Sequence, residues 1–275
     1  MSGPRTANQD FTLAFWLKFP SESSNYWHYL DLYPFGGGSN KTVLEFWTYN
    51  GSMRCYFGVP DGAGGQHLAS AVLGSHGVDA WHHYAVTRKG DTVTFYCDGA
   101  PVLSDTNVNN SRSLIDSDDR LAMGWSASGV LDDVRALRKG LSPAEIGLLY
   151  NSGAGAAGPV SATAAQTHDP NGNLIGTGGE RLNLNATYLH LKMDDNAAST
   201  EVKNEVGDHL HTTGANTSAI SVAGKLGQGF TTGGTGRIDI YEPNLTDGRR
   251  SRRRRRRRSR SRPARRWSCS ANPTS

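Results

Sequence analysis

Phe11–Phe19 reads FTLAFWLKF, and its apolar positions alternate. Phe11, Leu13, Phe15, Leu17 and Phe19 fall on one face, and Thr12, Ala14, Trp16 and Lys18 on the other. A period of two with bulky apolar residues predicts a strand with one face in a core. KTVLEFW (41–47) and MRCYFGV (53–59) follow, joined by Tyr49-Asn50-Gly51-Ser52. Asn-Gly is a hairpin signal, because a two-residue turn of this kind needs positive φ at both central positions. In Trp81–Val102, WHHYAVTRKGDTVTFYCDGAPV, two strands flank Lys89-Gly90-Asp91 and a third leaves the Asp98-Gly99 turn. LAMGW (121–125) and VLDDVRAL (130–137) close this series. Many short strands separated by Gly-rich turns predict an all-β fold, a two-sheet antiparallel sandwich or jelly roll.

One helix breaks the β pattern. In LSPAEIGLLYNSG, Ser142 stands as N-cap, Pro143 as the first helical residue and Glu145 as the third, which is a capping box with proline in its preferred place. Gly153 suits the stop. AGAAGPVSATAAQ then reads as linker, and DPNGNLIGTGGE as a surface hairpin or more linker. Strand character resumes at YLHLKMDD (188–195), HLHTTG (209–214), KLGQGFTTG (225–233) and RIDIY (237–241).

Charge separates the end of the chain from the rest. Residues 249–275 hold 13 Arg and no acid, so of the 29 basic residues 16 remain for residues 1–248 against 25 acidic ones, a net charge of −9. The body repels phosphate, and nucleic acid is a partner only through the tail. With almost nothing apolar to bury, the tail is expected to be disordered. Asp codons read out of frame give Arg, so this segment fits a frameshift product as well as a genuine arginine-rich tail. No apolar run approaches a membrane span, and MSGPRTANQD lacks an apolar signal region. Three Cys do not make a disulfide scaffold, and Cys55 and Cys97, both in strand-like runs, are expected as buried free thiols rather than a bridge.

Five segments together resemble the laminin G-like, concanavalin A-like lectin/glucanase superfamily in its LamG form. DFTLAFWLKFP is similar to an early strand of that family. WHHYAVTRKGDTVTFYCDGAPV resembles its central hairpin, and GVLDDVRALRKGLSPAEIGLLYNSG its final strand and short terminal helix. YLHLKMDDN and SVAGKLGQGFTTGGTGRIDI resemble its opening. The resemblance implies a jelly roll, and it also exposes an unusual order, since the opening strands come last. Residues 10–153 look like a jelly roll without its first strands, 154–187 like a linker, and 188–248 like either the start of a second unit or the strands that complete the first. A sandwich lacking strands exposes sheet edges and an apolar face, which favours the permuted, completed packing.

The resemblance implies recognition or adhesion rather than catalysis, with a glycan or glycoprotein as partner and a secreted, cell-surface or virion location; a structural spacer domain with no small ligand is the alternative. Neighbouring LamG repeats are also compatible partners. A glucanase would carry a Glu-x-Asp-x-(x)-Glu cluster on one strand, and none occurs; the nearest run, Ile238-Asp239-Ile240-Tyr241-Glu242, lacks the third acid. Exposed aromatic rings stack on sugars, which makes Tyr26, Trp27, Trp47 and Tyr49 the candidate ligand-binding residues. Calcium is the one cofactor the resemblance suggests, structural or ligand-bridging, with Asp132, Asp133 and Asp194 as candidate ligands. As neighbours on a strand, Asp132 and Asp133 are expected to face opposite ways, and so are His82 and His83, one core-facing and one at the surface.

Overall fold

The computed structural model describes residues 10–19, 27–33, 43–60, 66–75, 79–106, 120–124, 128–154, 166–168, 174–177, 180–181, 184, 186–206, 210–233 and 236–241. The arginine-rich tail lies outside them.

Two antiparallel sheets form a jelly-roll sandwich. The first contains β1 (Phe11–Lys18), β6 (Trp81–Lys89), β7 (Thr92–Cys97), β8 (Ala100–Asp105), β10 (Gly129–Leu137), β14 (Thr187–Leu191), β17 (Ser221–Ala223) and β18 (Gln228–Thr232). The second contains β2 (Trp27–Tyr33), β3 (Val43–Tyr49), β4 (Ser52–Pro60), β5 (Gln66–Ser75), β9 (Arg120–Met123), β15 (Glu201–Lys203), β16 (Leu210–Thr213) and β19 (Ile238–Tyr241). The alternation in β1 does what it predicts: Phe11, Leu13, Phe15 and Leu17 enter the core and meet Leu44, Phe46, Cys55 and Phe57 of the second sheet. Phe15 packs edge-on against Phe46, their centroids 4.9 Å apart, the preferred geometry for two quadrupolar rings. Cys55 and Cys97 are buried thiols that form no disulfide with each other.

The hairpins follow their turn residues. Asn50 and Gly51 have φ of 48° and 73°, and Tyr49 pairs with Ser52. Asp98 and Gly99 repeat this at 48° and 79°, with Cys97 opposite Ala100. The capping box of α1 (Pro143–Ala154) is complete: the Glu145 amide donates to Ser142 Oγ at 3.2 Å, and the Ser142 amide to Glu145 Oε2 at 2.9 Å. The helix runs one residue past Gly153. It covers the outer face of the first sheet, where Ala14, Ala85, Tyr96 and Leu137 meet Ile146, Leu148 and Leu149 in a second core. β1 is therefore buried on both faces.

The trailing segment packs into the same two sheets. Val134, Arg135 and Ala136 of β10 lie opposite Leu191, His190 and Leu189 of β14. The same edge of β10 also takes β18, with Leu131 opposite Phe230. In the second sheet β19 pairs with β9, Ile238 opposite Met123. Leu189, Leu191, Phe230 and Ile238 share the main core with the β1 phenylalanines. A short helix, α2 (Thr217–Ile220), precedes β17.

Within residues 154–187, expected as linker with a surface hairpin or more linker at DPNGNLIGTGGE, the described residues form a small sheet of β11 (Gln166–His168), β12 (Leu174–Thr177) and β13 (Glu180–Arg181). Trp27, a candidate ligand-binding residue outside the strands read from the sequence, opens strand β2 (Trp27–Tyr33). The alternation fails there because the strand bulges between His28 and Leu30, so Tyr29 and Leu30 both enter the core.

Candidate functional site

The outer face of the second sheet gathers the chemistry. On β3, Leu44, Phe46 and Thr48 are turned inward and fully buried, so Glu45, Trp47 and Tyr49 occupy the other face. Pairing sets these residues in two rows across the strands. One row runs His28, Trp47, Arg54, Val72, and the other Asp31, Glu45, Tyr56, Ser70. Trp47 stands 6.3 Å from Tyr49 and 6.5 Å from Tyr56 between ring centroids, and stacks near His28 at 6.4 Å. The Arg54 guanidinium lies over both Trp47 and Tyr49, at 5.4 and 5.5 Å, a doubled cation–π contact that fixes the rings. These rings and Arg54 are half-buried, and Val72 beside them is 52% exposed.

At the inner end of this face lie two acids. The side chains of Asp31 and Glu45 are 3% and 6% exposed and sit opposite each other on adjacent strands. His28 Nδ1 faces both, 2.9 Å from Asp31 Oδ1 and 3.7 Å from Glu45 Oε2. The Asp31 hydrogen bond and the field of both acids raise the imidazole pKa against the cost of burial. Burial raises the Asp31 pKa, opposed by His28 and Arg237.

Of the four candidate ligand-binding residues, Trp47 and Tyr49 share this face. Trp27 does not: it lies opposite Thr48 and packs against the core, on the inward side of β2. Tyr26 lies outside the described residues. Four residues that sequence reasoning missed, Arg54, Tyr56 and the acid pair Asp31/Glu45, belong to the face. An acid cluster sought along one strand does not find a pair that spans two.

Asp132 and Asp133 face the same way, contrary to the expectation from strand alternation. Leu131, Val134 and Ala136 enter the core, so two residues instead of one separate the first two. The cause is a β-bulge, with Asp133 at φ 47° and a register shift opposite β1. The bulge falls where the neighbour of β10 changes from β18 to β14, and the acids hold the arriving chain. Asp132 Oδ2 accepts from the Lys225 and Leu226 amides at 2.6 and 2.7 Å, and Asp194 Oδ1 from the Gln228 amide at 2.8 Å. Asp133 accepts from Arg135 Nε at 3.0 Å and lies 2.7 Å from His190 Nε2. Burial works against the Asp133 charge, but His190 and Arg135 prevail and hold its pKa at about 2. Burial raises Asp132 to about 6. Asp132 Oδ2 and Asp194 Oδ1 are thus turned to backbone amides and Asp133 to Arg135 and His190, while Asp132 Oδ1 is buried with no hydrogen-bond partner among the described residues.

His82 and His83 do point to opposite sides of β6, but neither is a surface residue. His83 is 2% exposed beside Trp16 and Tyr150, because α1 covers that side. His82 is 16% exposed and 2.8 Å from Asp98.

The chain belongs to the concanavalin A-like lectin/glucanases superfamily: the laminin G-type model of that description matches residues 2–147, which leaves the trailing strands beyond the match. A search of curated proteins finds no match. Among solved structures, the chain is similar to a native heptameric SAP-like pentraxin from Limulus polyphemus. That likeness has TM-score 0.40 and 14% identity, over 52% of this chain and 70% of the other. It is similar to the binding domain of botulinum neurotoxin serotype D at TM-score 0.39 and 13% identity, over 63% of this chain and 41% of that one. A third likeness is the CBM40 of a Ruminococcus gnavus IT-sialidase bound to α2,3 sialyllactose, at TM-score 0.40 and 12% identity, over 53% and 84%. Likenesses of this strength say nothing of a ligand for this chain.

Proposed function

We propose that the chain is a non-catalytic carbohydrate-recognition module and that its ligand lies on the outer face of β3 and β4. The observation that carries this reading is the ledge of Trp47, Tyr49 and Tyr56, half-exposed on one sheet face and braced by Arg54. Aromatic faces stack on the C–H faces of sugars, while nearby polar groups fix hydroxyls; Ser70 and the rim of His28 are placed for that task. The ledge stands on strands rather than loops, so the rings are pre-positioned and little side-chain entropy is lost on binding. A recognition module of this kind works in a secreted, cell-surface or virion protein, where glycans are met.

A glycan array tests the reading, probed with the chain with and without residues 249–275. The expected result is saturable binding to a restricted set of glycans that Trp47→Ala weakens about 5- to 30-fold with the unfolding midpoint unchanged, since a stacked ring contributes about 1–2 kcal/mol. Equal binding by Trp47→Ala removes the ledge as the site. Release of reducing ends during the assay, abolished by Glu45→Gln, replaces recognition with hydrolysis.

A further inference from the structure

We propose that His28, Asp31 and Glu45 form a site for a divalent transition-metal ion of the Zn²⁺ class. The inference does not depend on what the aromatic ledge binds. Three observations carry it.

First, a single ring nitrogen faces two carboxylates. His28 Nδ1 is 2.9 Å from Asp31 Oδ1 and 3.7 Å from Glu45 Oε2, and one ligand atom from each of the three residues lies within 4.8 Å of the others. One N–H has one direction to donate along, so a hydrogen bond explains the shorter approach and leaves the longer one as a near miss. A common ion explains both. Ligands bound at about 2.0–2.1 Å in a tetrahedron stand about 3.3 Å apart, and the two distances bracket that value.

Second, the backbone is shaped to bring these residues together. His28 and Asp31 are three apart, a spacing that places them on opposite faces of a regular strand. The bulge at Tyr29 puts both on the outer face, with His28 opposite Trp47 and Asp31 opposite Glu45. Glu45 then arrives from the next strand. Each ligand stands on a strand: Asp31 and Glu45 have ladder neighbours on both sides, and His28 pairs with Trp47 of β3. Such positions vary little, as a pre-formed metal site requires.

Third, the donor set selects the metal. An imidazole nitrogen with two carboxylates suits Zn²⁺ and its neighbours in the first transition row. Calcium takes six to eight oxygen ligands and does not take imidazole. Two buried carboxylates placed directly across a strand pair repel each other; Arg237 offsets part of the Asp31 charge, and a dication between the two acids adds to that offset. Metal binding displaces whatever proton Nδ1 carries. Three protein ligands leave a coordination position open, and Trp47 and Tyr56 flank it as cross-strand neighbours of His28 and Glu45.

The test uses the full chain, stripped with a chelator and returned to chelator-free buffer. Co²⁺ serves as the spectroscopic probe and Zn²⁺ as its competitor. The expected result is one Co²⁺ per chain with visible ligand-field absorption, displaced by one equivalent of Zn²⁺ and not by excess Ca²⁺. Glu45→Gln is expected to lose at least about 100-fold in Co²⁺ affinity, since it removes a ligand outright where even outer partners of a metal site cost 10–100-fold. Asp132→Asn, remote from the site, is expected to bind as the unaltered chain does. In the unaltered chain, one equivalent of Zn²⁺ should protect His28 from carbethoxylation, read by peptide mass, and this arm needs no variant to fold. The proposal is overturned by the absence of a stoichiometric Co²⁺ complex, by displacement with Ca²⁺, by full affinity in a folded Glu45→Gln, or by His28 modified equally with and without Zn²⁺.

Discussion

His83 makes the chain sensitive to mild acid, and the size of the effect follows from its burial. The imidazole is 2% exposed between β1 and the helix that covers the first sheet, and its Nδ1 has no hydrogen-bond partner among the described residues. Burial lowers its pKa from 6.5 to about 4, against the opposing fields of Asp133 and Asp98. Between those values the unfolded chain binds the proton and the folded chain does not. Stability is therefore fully present above the unfolded pKa and is lost as pH falls toward 4. From about pH 7.5 to about pH 5 the loss is about 2 kcal/mol of a full window of about 3. Asp132 works the other way, because its raised pKa lets the folded state hold an extra proton between 3.8 and about 6, so the whole chain shows a shallower slope. His83→Gln isolates the term. It removes the titration, while its own packing cost is the same at both pH values. Urea unfolding of both chains at the two pH values gives the double difference. The unaltered chain should lose about 2 kcal/mol more than His83→Gln on acidification. Equal losses would refute the argument that this imidazole is held neutral by the helix-covered face.

Other consequences are testable in the same way. Asp133→Asn keeps a side chain that tolerates positive φ but removes the charge that meets Arg135 and His190, and should cost about 3 kcal/mol in urea unfolding. Ser142→Ala opens the capping box of α1 and should cost about 1 kcal/mol, read as a lower unfolding midpoint with an unchanged far-UV spectrum. Trp27→Phe, on the inward side of β2, should lower stability while leaving glycan affinity unchanged; a loss of affinity alone would place Trp27 in the site. Removing residues 249–275, with their 13 arginines, should abolish any salt-dependent binding of polyanions in a filter assay, since the remaining body carries a net charge of −9.

Much of the fold was legible along the chain. The alternation of β1, the Asn50-Gly51 and Asp98-Gly99 turns and the capping box of α1 are local features. Each is set by the residues that form it and their immediate neighbours, so a pattern of period two, a pair of turn residues or a Ser-x-x-Glu spacing carries them in full. Trp47 and Tyr49 were legible as a pair of aromatics, the first ending a strand and the second opening the turn after it.

The tertiary structure decided the rest, and bulges account for much of it. At Tyr29 an extra residue rotates His28 onto the face of Asp31, and at Asp133 another places neighbouring acids on one side. Strand periodicity cannot anticipate a bulge, since the extra residue is defined by the partner strand and leaves the sequence without a mark of its own. Pairing also decided that Glu45 meets Asp31 and that Arg54 lies across from Trp47, because cross-strand neighbours are far apart in the chain. The covering of His83 came from α1, some 60 residues later, for the same reason. The sequence alone determined many of the strands and, where a strand is regular, which of its faces is apolar. Which strands meet, and so which side chains form the site, was settled by the sheets closing their exposed edges: β10 takes β14 and β18 from the end of the chain because an unpaired edge and an uncovered apolar face cost more than the return of the chain to fill them.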